Sequence, residues 1–286
     1  MLIHQRVRIL VLLLCGAALH LWAVESEDRA ENMLAEAWKE YEYQNFPAAD
    51  RLFDRALEAT DADAESGIQA RLGKAMVVHF RVPGGNPGDA IALYQGVLAD
   101  TGPDHKVTPN IHLLIGKAYR ALDEPELDSA RAYLEMVLSE AVGTIEADEA
   151  ALETAYTHSY KQDRENFMLA INFLQDYLSK NPGCAMASTM YLFCAKLFMH
   201  MKDYEKAREN LIHADSLGVA NLKYKPTVLF QIAYISEVEL RDTATAYRYY
   251  RKLTRKHPLD SRTYFSELRV KAFEDIVKEN AEDVAE

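Results

Sequence analysis

A short apolar pattern that recurs six times constrains the fold of this chain more than any other feature. In the segment "DYEKARENLIHA" the pattern is Ala207, Leu211 and Ala214, whose i, i+4 and i+7 spacing places the three side chains on one face of a helix. The first alanines of successive copies lie 41, 40, 40, 37 and 39 residues apart. An even period of this length is typical of stacked helical repeats rather than of one globular core.

The other five copies share this spacing: each begins with alanine, has a bulky residue one turn later and ends on an apolar residue. They are Ala49, Phe53 and Ala56; Ala90, Tyr94 and Val97; Ala130, Leu134 and Val137; Ala170, Leu174 and Tyr177; and Ala246, Tyr250 and Leu253. We predict that these residues form the buried face of the second helix in each of six helical hairpins, because an apolar stripe at this period marks the side of a helix that packs.

A further helix-forming segment precedes each copy and has a small residue where two helices would come close. "RLGKAMVVHF" contains Gly73, and "IHLLIGKAYRAL" contains Gly116. A glycine inside a helix costs about 1 kcal/mol relative to alanine, so both glycines indicate close helix crossings. The predicted core residues of these first helices are Gly116, Tyr119, Tyr191, Ala195 and Phe198.

This alternation of helices resembles the tetratricopeptide-repeat family, whose motif has a small residue and an aromatic in the first helix and Ala, a bulky residue and Ala in the second, often before a proline. The fifth copy, with Asp203 and Tyr204 before Ala207, matches best, and Pro182 and Pro258 close the fourth and sixth copies. The resemblance covers about residues 28–258 and implies an all-α, right-handed α-solenoid of about six hairpin repeats plus a capping helix.

The units are longer than the standard 34 residues of this family. In this respect they are similar to the repeats of exported tetratricopeptide proteins of the bacterial cell envelope. A HEAT-type solenoid, whose units have about 40 to 47 residues, is the alternative fold.

The repeat domain is predicted to span residues 24–258, with repeats at about 28–60, 66–101, 109–142, 148–182, 187–218 and 226–258. Residues 259–286 are predicted to form a C-terminal capping helix and tail. Asp260 or Ser261 is the expected helix cap, and Tyr264, Leu268 and Phe273 belong to the expected apolar face. A terminal helix of this kind covers the end of a repeat stack.

Residues 1–23 have the order of a secretory signal peptide. Arg6 and Arg8 precede the apolar run 9–19, and Ala23 is a small residue at a possible cleavage site. A signal peptide of this kind would direct export of the chain and then be cleaved. The destination would be the periplasm if the host is a Gram-negative bacterium. Membrane association requires instead that the segment is retained as an anchor or that Cys15 is lipidated. A retained anchor is disfavoured because a spanning helix needs about 20 apolar residues, and His20 interrupts the run well before that length.

Charge and motif content argue against several functions. The formal net charge is −12, from 44 acidic and 32 basic residues, which opposes nucleic-acid binding. Cys184 and Cys194 are too far apart along one helix for a disulfide, and the Cys-x-x-Cys and His-Glu-x-x-His spacings of zinc sites are absent. The glycine-rich segment 81–89 lacks the ending of a phosphate-binding loop. We therefore expect no catalytic residues, no metal and no cofactor.

Three lysines directly follow the small residues of first helices: Lys74, Lys117 and Lys196. In the tetratricopeptide family this position tends to face the binding groove, so the resemblance implies a basic row that binds a carboxylate-bearing partner. The expected neighbours on the same wall are Arg120, Leu113, Met199 and Gln231. The alternative is that lysine is a good helix former at a solvated position, and Ser159 and Ile235 interrupt the row.

The sequence thus predicts an exported scaffold that binds a protein or peptide partner and has no enzymatic activity. The resemblance implies a role in envelope assembly or in a periplasmic complex. Two alternatives remain open. One is an accessory subunit of an outer-membrane assembly or secretion machine, bound through its convex face or its ends. The other is a solenoid that binds a small molecule or a glycan. The sequence makes no prediction of the oligomeric state.

Overall fold

The computed structural model describes residues 28–61, 64–81, 83–219 and 221–283, with side chains described as far as residue 275. All regular secondary structure in these ranges is helical, which confirms the all-α prediction. The predicted signal peptide, residues 1–23, and Cys15 lie outside the described residues.

The chain divides into two compact units, residues 1–141 and 142–286, which we call the N-terminal and C-terminal units. The described helices of the N-terminal unit are α1 (28–42), α2 (Phe46–Ala59), α3 (Glu65–Phe80), α4 (Pro87–Thr101), α5 (Thr108–Arg120) and α6 (Leu127–Glu140). Those of the C-terminal unit are α7 (Ile145–His158), α8 (Arg164–Lys180), α9 (Ala187–His200), α10 (Tyr204–Leu217), α11 (Lys225–Tyr234), α12 (Thr243–Lys256) and α13 (Thr263–Asp283). A 3-10 turn (Ser159–Lys161) follows α7, and a π-helix (Ile235–Glu239) continues α11.

Within each unit, helices that are consecutive in the chain pack against each other. In the N-terminal unit, α2 packs on α3, α3 on α4, α4 on α5 and α5 on α6, and the same order holds from α7 to α13 in the C-terminal unit. Short connections between packed helices make neighbours antiparallel, so each unit is a series of helical hairpins. In the C-terminal unit, α13 follows the last hairpin and packs on α12, in the manner of a capping helix.

The recurring pattern lies at the centre of both units. The first alanine of every copy is 0% exposed, and the bulky residue one turn later is 0 or 1% exposed. At the third position Ala56, Val97, Val137, Ala214 and Leu253 are buried, and Tyr177 is half-buried. Each second helix therefore buries the face that its i, i+4 and i+7 spacing marks as apolar.

The first helices are buried more unevenly. Gly116, Ala195 and Phe198 are buried, whereas Tyr119 and Tyr191 are only half-buried. The ring of Tyr119 stacks on Tyr133 with 5.8 Å between centroids, and the ring of Tyr191 stacks on His213 at 5.2 Å. The two tyrosines thus lie at the edge of the core rather than within it, and each rests on an aromatic neighbour from the second helix of its own hairpin.

A buried carboxylate joins three helices at the start of the C-terminal unit. Asp148 on α7 is 5% exposed and accepts hydrogen bonds from the Tyr177 hydroxyl on α8, at 2.8 Å, and from the backbone N–H of Ala185, just before α9, at 2.7 Å. The hydroxyl of the half-buried Tyr177 thus has a polar partner inside the unit. Burial and then the hydrogen bond to Asp148 raise the pKa of Tyr177.

The two glycines of the first helices face different neighbours. A Cβ added to Gly116 would lie 2.8 Å from Cγ of Leu134 and 3.2 Å from the carbonyl oxygen of Ala130, both on the following helix α6. A Cβ added to Gly73 would overlap the ring of Phe53 on the preceding helix α2. Both glycines mark close crossings, as predicted, but the crossings are on different sides of their helices.

The crossing at Gly116 predicts opposite effects for two glycine-to-alanine changes. Gly96, in the middle of α4, has no atom within 4 Å of an added Cβ, so Gly96→Ala should raise the free energy of unfolding by about 0.5 to 1 kcal/mol through helix propensity. Gly116→Ala should lower it by about 1 to 3 kcal/mol, because the added methyl overpacks the contact with Leu134. Urea unfolding followed by circular dichroism measures both. Equal stabilisation by the two changes would contradict the close crossing.

Candidate protein-interaction surface

The predicted basic row is not formed as expected in the N-terminal unit. Lys74 turns toward the preceding helix α2, where its Nζ pairs with Asp54 and lies 3.4 Å from an oxygen of Asp50. Lys117 lies instead against the end of α3, with its Nζ 5.7 Å from the centroid of the Phe80 ring. The two lysines do not occupy equivalent positions, since Gly73 and Gly116 face different neighbours, and the charge of Lys74 is already compensated within the unit.

Two cations of α5 lie close to a buried histidine. His79 on α3 is 7% exposed, and its Nδ1 lies 3.2 Å from the hydroxyl of the buried Tyr94. Burial, followed by the positive charges of Lys117 and Arg120, lowers the pKa of His79 to about 4. The imidazole is therefore neutral near pH 7, and the hydroxyl of Tyr94 has a polar partner inside the core.

Another predicted partner-binding residue of the N-terminal unit is buried. Leu113 was expected on the binding wall, but it is 3% exposed and packs inside the unit. It lies three residues before Gly116 on α5, a helix that is covered over most of its surface: eight of its residues are buried. Periodicity alone could not identify a first helix that is covered on several sides.

In the C-terminal unit, Lys196 is exposed and forms no ion pair with any side chain that the structure describes. Met199 is half-buried and packs against the hydrophobic core, and Gln231 on α11 is half-buried. Of the three predicted lysines, Lys196 is thus the one whose charge is available to a partner.

A group of exposed apolar side chains lies on α11, its π-helical continuation and α13. Four residues form it: Tyr234, Val238, Phe265 and Leu268, with exposed fractions of 42, 49, 42 and 50%. We call it the α11–α13 surface. Beneath it lies the half-buried ring of Phe230, which stacks on Tyr234 with 5.9 Å between centroids and meets Phe265 edge to face at 5.8 Å.

Three side-chain contacts join α11 and its π-helical continuation to the start of α13 and the residue before it. The guanidinium of Arg262 donates to the hydroxyl of Thr227, Phe265 contacts Phe230, and Arg269 pairs with Glu237. The contacts follow the same order along both segments, so the two helices run in the same direction. Tyr234 and Leu268 lie exposed on the two segments that these contacts join.

Polar contacts hold α13 in this position. The Glu237 carboxylate, 15% exposed, accepts a hydrogen bond from the Tyr250 hydroxyl at 2.9 Å and pairs with Arg269. At the start of α13, Asp260 binds the guanidinium of Arg262 through both of its oxygens, at 2.7 and 2.8 Å. The hydrogen bond from Arg262 lowers the pKa of Asp260 to about 2. Asp260 thus organises the turn before the helix rather than capping the helix itself, which begins at Thr263.

The groove-facing position predicted for the sixth repeat is buried. Ile235 occupies it, yet it is 5% exposed and belongs to the core, whereas the preceding Tyr234 is exposed. Val228, Ile232 and Ile235 are buried at the i, i+4 and i+7 spacing, so the apolar stripe of α11 continues to the start of the π-helix.

The capping helix is also less buried than predicted. Phe273 is 9% exposed and belongs to the core, but Tyr264 is 72% exposed and Leu268 is 50% exposed. Large apolar residues on a terminal helix predict packing, but no further helix of the described chain covers these two side chains.

Other features bear on the remaining alternatives. No group of three or more His, Cys, Asp or Glu side chains in the described residues could hold a metal ion, and none of the described helices has the length and apolarity to cross a membrane. Cys184 and Cys194 are free, and burial is the main cause that raises the pKa of each thiol to about 12, so both are protonated near pH 7. An open, polar cleft of about 350 Å³ lies between α8, α9 and α10, beside Tyr191 and His213.

Comparisons with known proteins identify the fold. No protein-family model and no curated protein matches the chain. A structure from the functional characterization of PilF of Pseudomonas aeruginosa aligns with a TM-score of 0.56 and 18% identity over 87% of this chain and 98% of that one. The crystal structure of the APC/C hetero-tetramer Cut9–Hcn1 aligns with a TM-score of 0.52 and 16% identity over 89% of this chain, which spans 45% of the matched chain.

Both structures are tetratricopeptide-repeat proteins, so the chain has the tetratricopeptide-repeat fold and not the HEAT-type alternative. At identities this low, the likeness establishes the fold alone.

The environment of His79 predicts a pH-dependent contribution to stability. Because its pKa is lowered from 6.5 to about 4, the unfolded chain binds this proton more readily than the folded chain. The contribution of the neutral His79 to the free energy of unfolding is complete above pH 6.5. It is lost as the pH falls to about 4, by an amount on the order of 2 to 3 kcal/mol. His79→Gln should therefore flatten the pH dependence of the unfolding free energy in this window, measured by urea unfolding. Parallel curves for the two proteins would contradict the buried, neutral imidazole.

Proposed function

We propose that this chain, which has the tetratricopeptide-repeat fold, is a scaffold without catalytic activity that binds a protein or peptide partner through the α11–α13 surface. The observation that carries the proposal is the set of four large apolar side chains, Tyr234, Val238, Phe265 and Leu268, that lie exposed on segments joined by the Phe230–Phe265 and Glu237–Arg269 contacts. Contiguous apolar patches on soluble proteins mark interaction sites more often than isolated exposed residues do.

The surface is suited to binding because it is already ordered. Phe230 supports Tyr234 and Phe265 from below, and the Glu237–Arg269 pair fixes α13 against the π-helix. Aromatic side chains in fixed positions lose little conformational freedom when a partner binds. An apolar partner group that removes about 200 Å² of this surface from water gains roughly 5 kcal/mol before the entropic cost of association.

The location of the surface favours one of the alternatives left open by the sequence. It lies on the last hairpin and on the capping helix, near the C-terminal end of the repeats, and not on the predicted row of lysines. This supports the accessory-subunit alternative, in which the partner is bound through an end of the repeat array.

We further propose that the chain is exported and acts in envelope assembly or in a periplasmic complex. The support is the order of basic, apolar and small residues within the first 23 positions, together with the net charge of −12, which disfavours nucleic acid as a partner.

Replacing two residues of the surface tests the proposed function. Tyr234→Ser/Leu268→Ser removes two exposed side chains and should leave folding within about 0.5 kcal/mol of the parent, as checked by circular dichroism and thermal unfolding. When the full chain is immobilised and exposed to an envelope fraction of its host, recovery of the partner should fall at least about tenfold, because the partner loses its main apolar contacts.

A matched control is Leu93→Ser/Met136→Ser, which alters two apolar residues of the N-terminal unit that are 44 and 42% exposed. This control should recover the partner as the parent does. Equal recovery by both variants and the parent would rule out the α11–α13 surface as the binding site.

A further inference from the structure

The exposed face of α12 is strongly basic, although the chain as a whole is acidic. The helix, Thr243–Lys256, contains five basic residues and no acidic one, against a net charge of −12 for the protein. Its basic residues are Arg248, Arg251, Lys252, Arg255 and Lys256.

The three arginines of α12 form a line along the outside of the helix. Arg248, Arg251 and Arg255 are exposed and are spaced i, i+3 and i+7. The buried residues Ala246, Tyr250 and Leu253 occupy the opposite side. With a rise of 1.5 Å per residue, the line from the first to the last arginine is about 10 Å long.

The charge of this face is not compensated within the described residues. Lys252 pairs with Asp215, whose side chain is 5% exposed, but Arg248, Arg251, Arg255 and Lys256 form no ion pair with a described side chain. Glu274 on α13 accepts a hydrogen bond from the Tyr247 hydroxyl of α12 at 2.8 Å.

Tyrosine rings orient two of the guanidinium groups. The Arg248 guanidinium lies 5.2 Å from the centroid of the Tyr249 ring, and that of Arg251 lies 5.7 Å from the centroid of Tyr247. Such contacts fix the position of a guanidinium and leave its N–H groups free to bind an anion. The face is therefore a row of oriented donors for carboxylates or phosphates.

We propose that the α12 basic face, defined by Arg248, Arg251 and Arg255, binds an acidic helical segment of a partner protein whose carboxylates repeat at i, i+3 and i+7. The carboxylates of such a helix have the same spacing as the arginines. The face is about one Debye length long, so its attraction acts on a short acidic segment and is screened beyond it. A membrane or a nucleic acid would extend past the face and would also meet the negative charge of the rest of the chain.

This site is separate from the proposed α11–α13 surface. Tyr250, on the buried side of α12, contacts Phe230 and Phe265 beneath that surface, whereas the three arginines point away from this side of the helix. The two surfaces can therefore be altered independently.

The test measures binding of a fluorescent, alanine-based helical peptide of about 20 residues with glutamates at i, i+3 and i+7 on one face. A peptide of the same composition, with its glutamates distributed around the helix, is the comparison ligand. The full chain should bind the first peptide at least about fivefold more tightly, and binding should weaken as salt is added. Arg251→Glu/Arg255→Glu should weaken it at least about tenfold, because repulsion replaces attraction.

The matched control is Arg51→Glu/Arg55→Glu, which makes the same charge change at two exposed arginines with the same i, i+4 spacing on α2. It should stay within about twofold of the parent, and so should Tyr234→Ser/Leu268→Ser, which separates this site from the proposed function. The proposal is overturned if the peptide does not bind at low salt, if both peptides bind equally, or if the α2 control loses as much affinity. Tighter binding of phosphatidylglycerol vesicles or of single-stranded oligothymidine than of the peptide would also overturn it.

Discussion

The close approach of helices at residues with little or no side chain is the constraint on which the rest of the structure depends. The first alanine of every repeat copy is fully buried, and Gly116 has no room for even one methyl group beside Leu134. Once these crossings are fixed, the bulky residue one turn later has a defined space to fill, and the polar side of each second helix is turned toward solvent. Closely packed protein interiors tolerate little change in side-chain volume. This accounts for the small residue at the same position of every repeat copy.

The last hairpin shows how the same packing leaves binding surfaces open. The π-helix after α11 turns Glu237 inward, where it joins the Tyr250 hydroxyl to Arg269 on α13. Because α13 is held in register with α11, apolar side chains that face no further helix of the described chain remain exposed on one side. On the other side, α12 presents arginines that form no ion pair with a side chain that the structure describes. One helix thus supports an apolar surface through Tyr250 and a basic surface through its outer face.

The fold could be predicted from the sequence because two simple periods specify it: the spacing of Ala207, Leu211 and Ala214 gives the helix, and the period of about 40 residues gives the stacking. The candidate site could not be predicted in the same way. Gly73 lies 17 residues before Ala90 and Gly116 lies 14 before Ala130, so the two glycines could have been distinguished by counting. The exposure of Leu268 depends on which helices cover α13, and this leaves no periodic signal in the sequence.

Hydrogen–deuterium exchange of the full chain, with and without the partner recovered from the envelope fraction, tests the central claim most directly. The α11–α13 surface should be the partner's contact, so the backbone amides of residues 230–239 and 263–269 should exchange more slowly in the complex. Amides of α3 and α5 around Lys74 and Lys117 should exchange at the same rate in both samples. Protection confined to α3 and α5, with unchanged exchange in α11 and α13, would contradict the account.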